Sequence, residues 1–205
     1  MSTLTIPPAR VDDIERAKDF LFAIYGEARW TEAAYLELSD RTNRKIELSE
    51  GRLIVPNTPT PEHQDIILNI AVILRAWALR YGGHAFVAAL PVRLWSGKFR
   101  EPDLLLFTAQ HRDRVKKQHV EPPDLAVEVL SPATEKVDMQ EKMREYAQAG
   151  IPEYWIVSTD APELEQYVLE RGQYRLQARL GAGETLRAAT LPDLTVAMDE
   201  IYRTE

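Results

Sequence analysis

Cysteine is absent from the 205 residues. That excludes disulfides, thiolate nucleophiles and cysteine-bound metals, and it fits a reducing cytoplasm. An apolar run of about 18 residues, the length that crosses a bilayer, is missing too, so no membrane partner is expected. Met1 to Arg10 lacks the charged start and long apolar stretch of a signal peptide. Neither an internal repeat nor a low-complexity tract is present. Positive charge is in deficit: 25 Lys and Arg against 32 Asp and Glu give a net charge of −7. An acidic chain is a poor non-specific DNA binder, so any nucleic-acid contact needs a local basic patch. A glycine-rich phosphate cradle is also lacking, which tells against a phosphodiesterase acting on small nucleotides.

What is present suffices for one domain with a real core. Ile14, Ala17, Leu21 and Phe22 recur at helical spacing, which predicts a helix over 11–25 ended by Gly26. We read 1–29 as a helical extension and 30–205 as the main domain. Thr31 is a candidate N-cap for a helix over Glu32 to Leu38. Lys45–Ser49 and Arg52–Val55 read as a hairpin turning at Ser49-Glu50-Gly51. Thr60-Pro61 opens the clearest helix, with Ile66, Ile67, Ile70, Ile73, Leu74 and Trp77 on its apolar face and Tyr81-Gly82-Gly83 as its stop. Strands are expected at 85–95, 103–107 and 124–130, the last two separated by a polar stretch. A helix over 134–149, closed by Gly150 and Pro152, leads to a strand at 153–157. A hairpin around Arg171-Gly172 follows; the tail over 191–202 has no clear period. The pattern is that of an α/β fold, a mixed sheet with helices on its faces.

Two carboxylates interrupt the apolar strands: Asp103 in Pro102-Asp103-Leu104-Leu105-Leu106-Phe107, and Glu128 in Leu125-Ala126-Val127-Glu128-Val129-Leu130. Burying an unpaired charge in such a strand costs several kcal/mol. For either one alone, the ordinary reading is a carboxylate satisfied by Arg, Lys or backbone groups. For the two together, a shared divalent cation is the favoured partner, and Asp and Glu oxygens around a metal are a usual setting for phosphodiester chemistry. Asp103 is in phase with Leu105, and Glu128 with Ala126 and Leu130, so the two converge if their strands are neighbours. Asp138 and Lys142, four apart, share a helix face. They are either a surface ion pair or a lysine placed beside the metal, where an ammonium stabilises charge on phosphate. Arg112, Arg114, Lys116 and Lys117, flanked by His111 and His119, form either a phosphate-contacting patch or a solvated loop. Tyr146, Tyr154 and Trp155 are read as core residues.

Taken in order, these blocks resemble the Uma2 family of the PD-(D/E)XK nuclease superfamily. The matching segments are Glu101-Pro102-Asp103, Pro123 to Pro132, Asp138, Lys142, Tyr146, and Gly150-Ile151-Pro152-Glu153-Tyr154-Trp155-Ile156-Val157. Upstream, Ile46 to Leu53 and Thr60 to Gln64 also match. The resemblance implies a restriction-endonuclease-like core and a Mg²⁺ or Mn²⁺ site held by Asp103 and Glu128. Leu130 stands where the superfamily carries a lysine, and Lys142 is its nearest replacement. Glu47 and Glu62 are candidates for a further acidic ligand, although Glu47 also reads as an exposed strand residue. His63 is an auxiliary candidate that also reads as a packed or capping residue. The implied activity is endonucleolytic hydrolysis of DNA, with DNA and a second copy, as a homodimer, as expected partners. The alternative is a nuclease-fold module of little or no activity that binds nucleic acid or a protein.

Overall fold

The computed structural model describes residues 29–42, 44–130 and 135–203, with backbone only for 135–139. The helix expected over 11–25 lies outside the described residues. Helix α1 (Glu32–Asp40) starts where Thr31 accepts the Ala34 N–H at 3.2 Å. Strands β1 (Glu47–Ser49) and β2 (Arg52–Ile54) form the expected hairpin, with Glu50 and Gly51 at φ 51° and 83°. Helix α2 (Pro61–Tyr81) is capped by Thr60, whose hydroxyl accepts the His63 N–H at 3.3 Å. It stops at Gly82, φ 71°, and Gly83 follows so closely against Phe107 that a Cβ would lie 2.3 Å from its carbonyl oxygen. Only glycine fits that approach.

The single strand expected over 85–95 is in fact two. Strand β3 (His84–Val87) belongs to the central sheet, and β4 (Val92–Trp95) to a second one. Strand β5 (Lys98–Arg100), too short to show a period, joins β4 and β1. Then β6 (Leu104–Phe107), a 3₁₀ turn over Ala109–Arg114, and β7 (Leu125–Leu130) follow. Helix α3 (Glu135–Ala149) leads to β8 (Glu153–Ser158) and to the hairpin of β9 (Leu164–Glu170) and β10 (Gln173–Leu180). The unassigned tail contributes β12 (Thr195–Ala197), paired with β11 (Thr185–Arg187), and α4 (Met198–Ile201).

The central sheet runs β10-β9-β8-β7-β6-β3, with β7 and β8 parallel and the other neighbours antiparallel. It is the mixed, helix-flanked sheet that the alternation of elements predicts. One face packs Leu104, Leu106, Leu125 and Val127 against Ile66, Ile70 and Leu74 of α2. The other packs Leu105, Phe107, Ala126 and Ile156 against Tyr146 of α3 and Val92 of β4. The second sheet, β2-β1-β5-β4, closes on Tyr35 of α1 through Leu48 and Phe99. Residues 101–103 carry the chain from β5 in one sheet to β6 in the other. Charged groups therefore meet where the two sheets and α3 join.

Candidate functional site

Strands β6 and β7 pair with Leu104 opposite Val127 and Leu105 opposite Ala126. One further step in that register sets Asp103 opposite Glu128. Directly opposed residues on antiparallel strands share a face, so both carboxylates point to the α3 side. They are 5% and 2% exposed. At that depth each requires partners, and the partners come from several elements.

Asp103 Oδ2 accepts the Val129 N–H at 2.8 Å and lies 3.3 Å from His63 Nε2, at the start of α2. His63 Nδ1 is buried without a hydrogen-bond partner. Nε2 is thus the ring nitrogen that faces the carboxylate. Asp103 Oδ1 meets Lys45 Nζ at 3.0 Å, and the same ammonium lies 3.9 Å from Glu128 Oε2. Glu128 Oε1 accepts from Tyr146 OH at 2.7 Å and lies 3.1 Å from Lys142 Nζ. Lys142 and Tyr146, four apart on α3, reach the same oxygen because helical spacing stacks them on one face.

Behind this pair stands a second layer of charge. Glu47 lies 3.8 Å from Lys142 and is bound by Arg100 Nη1 at 2.7 Å and by the Glu101 N–H at 3.1 Å. Arg100 grips Glu145 with two bonds of 2.7 and 3.1 Å, and Lys98 pairs with the same carboxylate. Planar two-point pairing of this kind fixes orientation as well as charge.

The acids respond unequally. Burial would raise Asp103, but Lys45 and His63 outweigh it and hold the carboxyl well below its usual range. Glu128 moves the other way: burial, with Asp103 and Glu47 nearby, exceeds the pull of Lys142 and Lys45 and raises it. Two close acids dividing in this way are a coupled pair. Burial also opposes the charge of Glu47, yet Lys142, Lys45 and Arg100 bring it down to about 2. Lys45 is raised; burial opposes its charge, and Glu128 and Asp103 more than compensate.

The structure thus brings Asp103, Glu128 and Lys142 together, with Glu47 and His63 beside them. Glu47 is buried, which displaces its reading as an exposed strand residue. Glu62 is exposed in the first turn of α2 and interacts with Thr60, not with the carboxylate pair. The side chain of Asp138 lies outside the described residues. Arg112, Arg114, Lys116 and Lys117 follow β6 at the end away from Asp103. There Arg112 bonds His84 and Arg114 the Pro122 carbonyl, at 3.2 and 2.9 Å. Sequence pattern does not single out Lys45, Arg100 or Glu145. Tyr146, read as a core residue and a matching position of the family, is in addition a hydrogen-bond partner of Glu128.

Among the described residues, no three His, Cys, Asp or Glu side chains are grouped to hold a metal ion. The carboxylate pair still suits one. A single ammonium already reaches oxygens of both acids. Mg²⁺ commonly takes only one or two carboxylates and completes its octahedron with water and substrate phosphate. Hard oxygen donors match Mg²⁺ or Mn²⁺.

Comparison with known proteins identifies the family and the fold. The model of a family described as "Uma2: Putative restriction endonuclease" matches residues 32–199. An uncharacterized protein of Synechocystis is 27% identical over 173 residues, covering 82% of this chain and 89% of its own length. Among solved structures, one from Anabaena variabilis, described as "a putative nuclease belonging to DUF820", superposes with a TM-score of 0.64 at 15% identity. That match covers 82% of this chain and 96% of the other, and it shows a shared fold.

Proposed function

The chain belongs to the Uma2 family, and from that premise we propose that it is a divalent-metal-dependent endonuclease that hydrolyses phosphodiester bonds in DNA. The observation that carries the proposal is the pair of buried, opposed carboxylates, Asp103 and Glu128, bridged by one cationic group. Asp103 and Glu128 would hold Mg²⁺ or Mn²⁺. A cation bound there supplies Lewis-acid stabilisation of the phosphate under attack.

The remaining work falls to the chain. Val129 N–H and His63 fix Asp103 through Oδ2, and Tyr146 fixes Glu128 through Oε1. Lys142 is held between Glu128 and Glu47. Its ammonium would stabilise negative charge that grows on the phosphate oxygens. The Arg100–Glu145 pair, with Arg100 on Glu47, keeps that support rigid. We assign to Lys142 the role of the superfamily lysine absent at Leu130, and to exposed Arg112 and Lys117 contact with the nucleic-acid backbone.

Leu130 also favours a second reading, a nuclease-fold module that binds nucleic acid or protein without cutting. Incubation of the purified protein with single- and double-stranded DNA, with Mn²⁺, Mg²⁺ or EDTA, separates the two. Metal-dependent cleavage supports the nuclease. Binding without cleavage under every metal supports the module.

A further inference from the structure

The oxygens of the two carboxylates are held unequally. Asp103 Oδ2 and Glu128 Oε1 are each fixed by partners buried in the fold: Val129 N–H and His63 for the first, Tyr146 and Lys142 for the second. The other two oxygens, Asp103 Oδ1 and Glu128 Oε2, share Lys45 Nζ, their one partner among the described residues. These are the oxygens a bridging cation would take.

The two lysines of the site are not equivalent. The Lys142 side chain is 7% exposed and stands between Glu128 and Glu47, itself clamped by Arg100. Lys45 is 22% exposed and precedes β1, outside its ladder. A four-carbon stem ending in a compact charge can withdraw without disturbing the backbone.

We propose that Lys45 is a latch on the carboxylate pair: it fills the cation slot of the metal-free protein, competes with the incoming divalent ion and gives way to it. The inference rests on the metal-site reading above. Its physical basis is occupancy. Metal–oxygen contacts of about 2.0–2.6 Å leave no room for an ammonium between the same two oxygens. One positive charge neutralises half of the pair's charge, whereas a divalent ion neutralises all of it. Metal-free protein is therefore protected from two adjacent buried anions, at the expense of apparent metal affinity.

The test is Mn²⁺ binding by calorimetry, with melting temperature as a second readout, for wild type, Lys45→Met, Lys45→Gln and Lys142→Met. Both Lys45 variants should melt lower than wild type without metal. Both should bind Mn²⁺ more tightly, by about tenfold, the change expected if the latch is open roughly one time in ten. A Lys45 variant that folds only with Mn²⁺ gives the same answer. Lys142→Met removes equal charge but leaves the slot filled, and should tighten binding less. Unchanged or weaker binding in the Lys45 variants, or equal tightening in Lys142→Met, overturns the latch while the metal site stands. No Mn²⁺ binding in any of the four overturns both.

Discussion

Glu128 and Glu153 are the same residue type, both buried, on the parallel neighbours β7 and β8, yet they are satisfied by different chemistry. Glu153 accepts from Trp155 Nε1 and Gln166 Nε2, both at 2.7 Å, from the backbone N–H groups of Ala189 and Thr190, and from the Thr190 hydroxyl. Every one of those donors is neutral and belongs to the fold. The carboxylate pins the 189–190 segment to the sheet. Glu128 receives one neutral bond, from Tyr146, and otherwise faces two lysines and two acids, Asp103 and Glu47. A carboxylate saturated by fixed neutral donors has a structural role. One balanced by cations is the kind that could exchange a partner for a metal, as proposed for Glu128.

The largest effects are expected at the acids themselves. Glu128→Gln and Asp103→Asn are expected to abolish metal-dependent DNA cleavage in a gel assay, since each removes a ligand charge. Glu128→Gln should not unfold the protein, because the amide still accepts from Tyr146. Lys142→Ala is expected to slow cleavage by about 10²–10³-fold, the cost of losing one preorganised charge at the reacting phosphate. Lys142→Arg should restore it only partly, a planar fork being a poor fit for a compact ammonium site. Cleavage unaffected by Lys142→Ala would remove this lysine from the mechanism.

Glu153→Leu should show the opposite profile. It strands several buried donors and is expected to lower stability by about 3 kcal/mol or more in urea denaturation. The folded fraction should keep its response to Mn²⁺. A lost metal response with intact stability would erase the distinction between the two glutamates.

Glu101 is intermediate between the two. It has few donors, Tyr35 OH at 3.4 Å and the Ile46 N–H at 3.3 Å. Burial and the nearby Glu47 push its carboxyl from 4.5 up to about 7. A raised acid holds its proton more tightly folded than unfolded, so its contribution is fully present at low pH. It is lost as pH rises from the unfolded value through about 7. Glu101→Gln should remove that loss, so the mutant should gain on wild type by about 2–3 kcal/mol between pH 5 and pH 8. An unchanged difference across that range would mean that Glu101 is ionised throughout.

Much of this was legible in the sequence because burial of charge leaves a mark there. Asp103 and Glu128 stand out as acids in apolar strands, and their phase predicts convergence once the strands are neighbours. Capping chemistry located α1 and α2 through Thr31 and Thr60. The helix expected over 11–25 and the side chain of Asp138 fall outside what the structure describes. Lys45 and Arg100 stayed hidden for a physical reason: each is a cation near a strand end, where charge is ordinary, and only the join of two sheets buries them. Strand β5 was hidden by its length, and the division of 85–95 by the chain's passage from one sheet to another, which no local period records.

The opposed carboxylates of Asp103 and Glu128 are proposed to form a divalent-cation site. Its most direct test is the melting temperature of wild type and Asp103→Asn with and without Mn²⁺. A ligand that binds only the folded state raises its stability, so wild type should melt higher with Mn²⁺ and Asp103→Asn should not change. An equal rise in both would place the ion elsewhere and contradict the account.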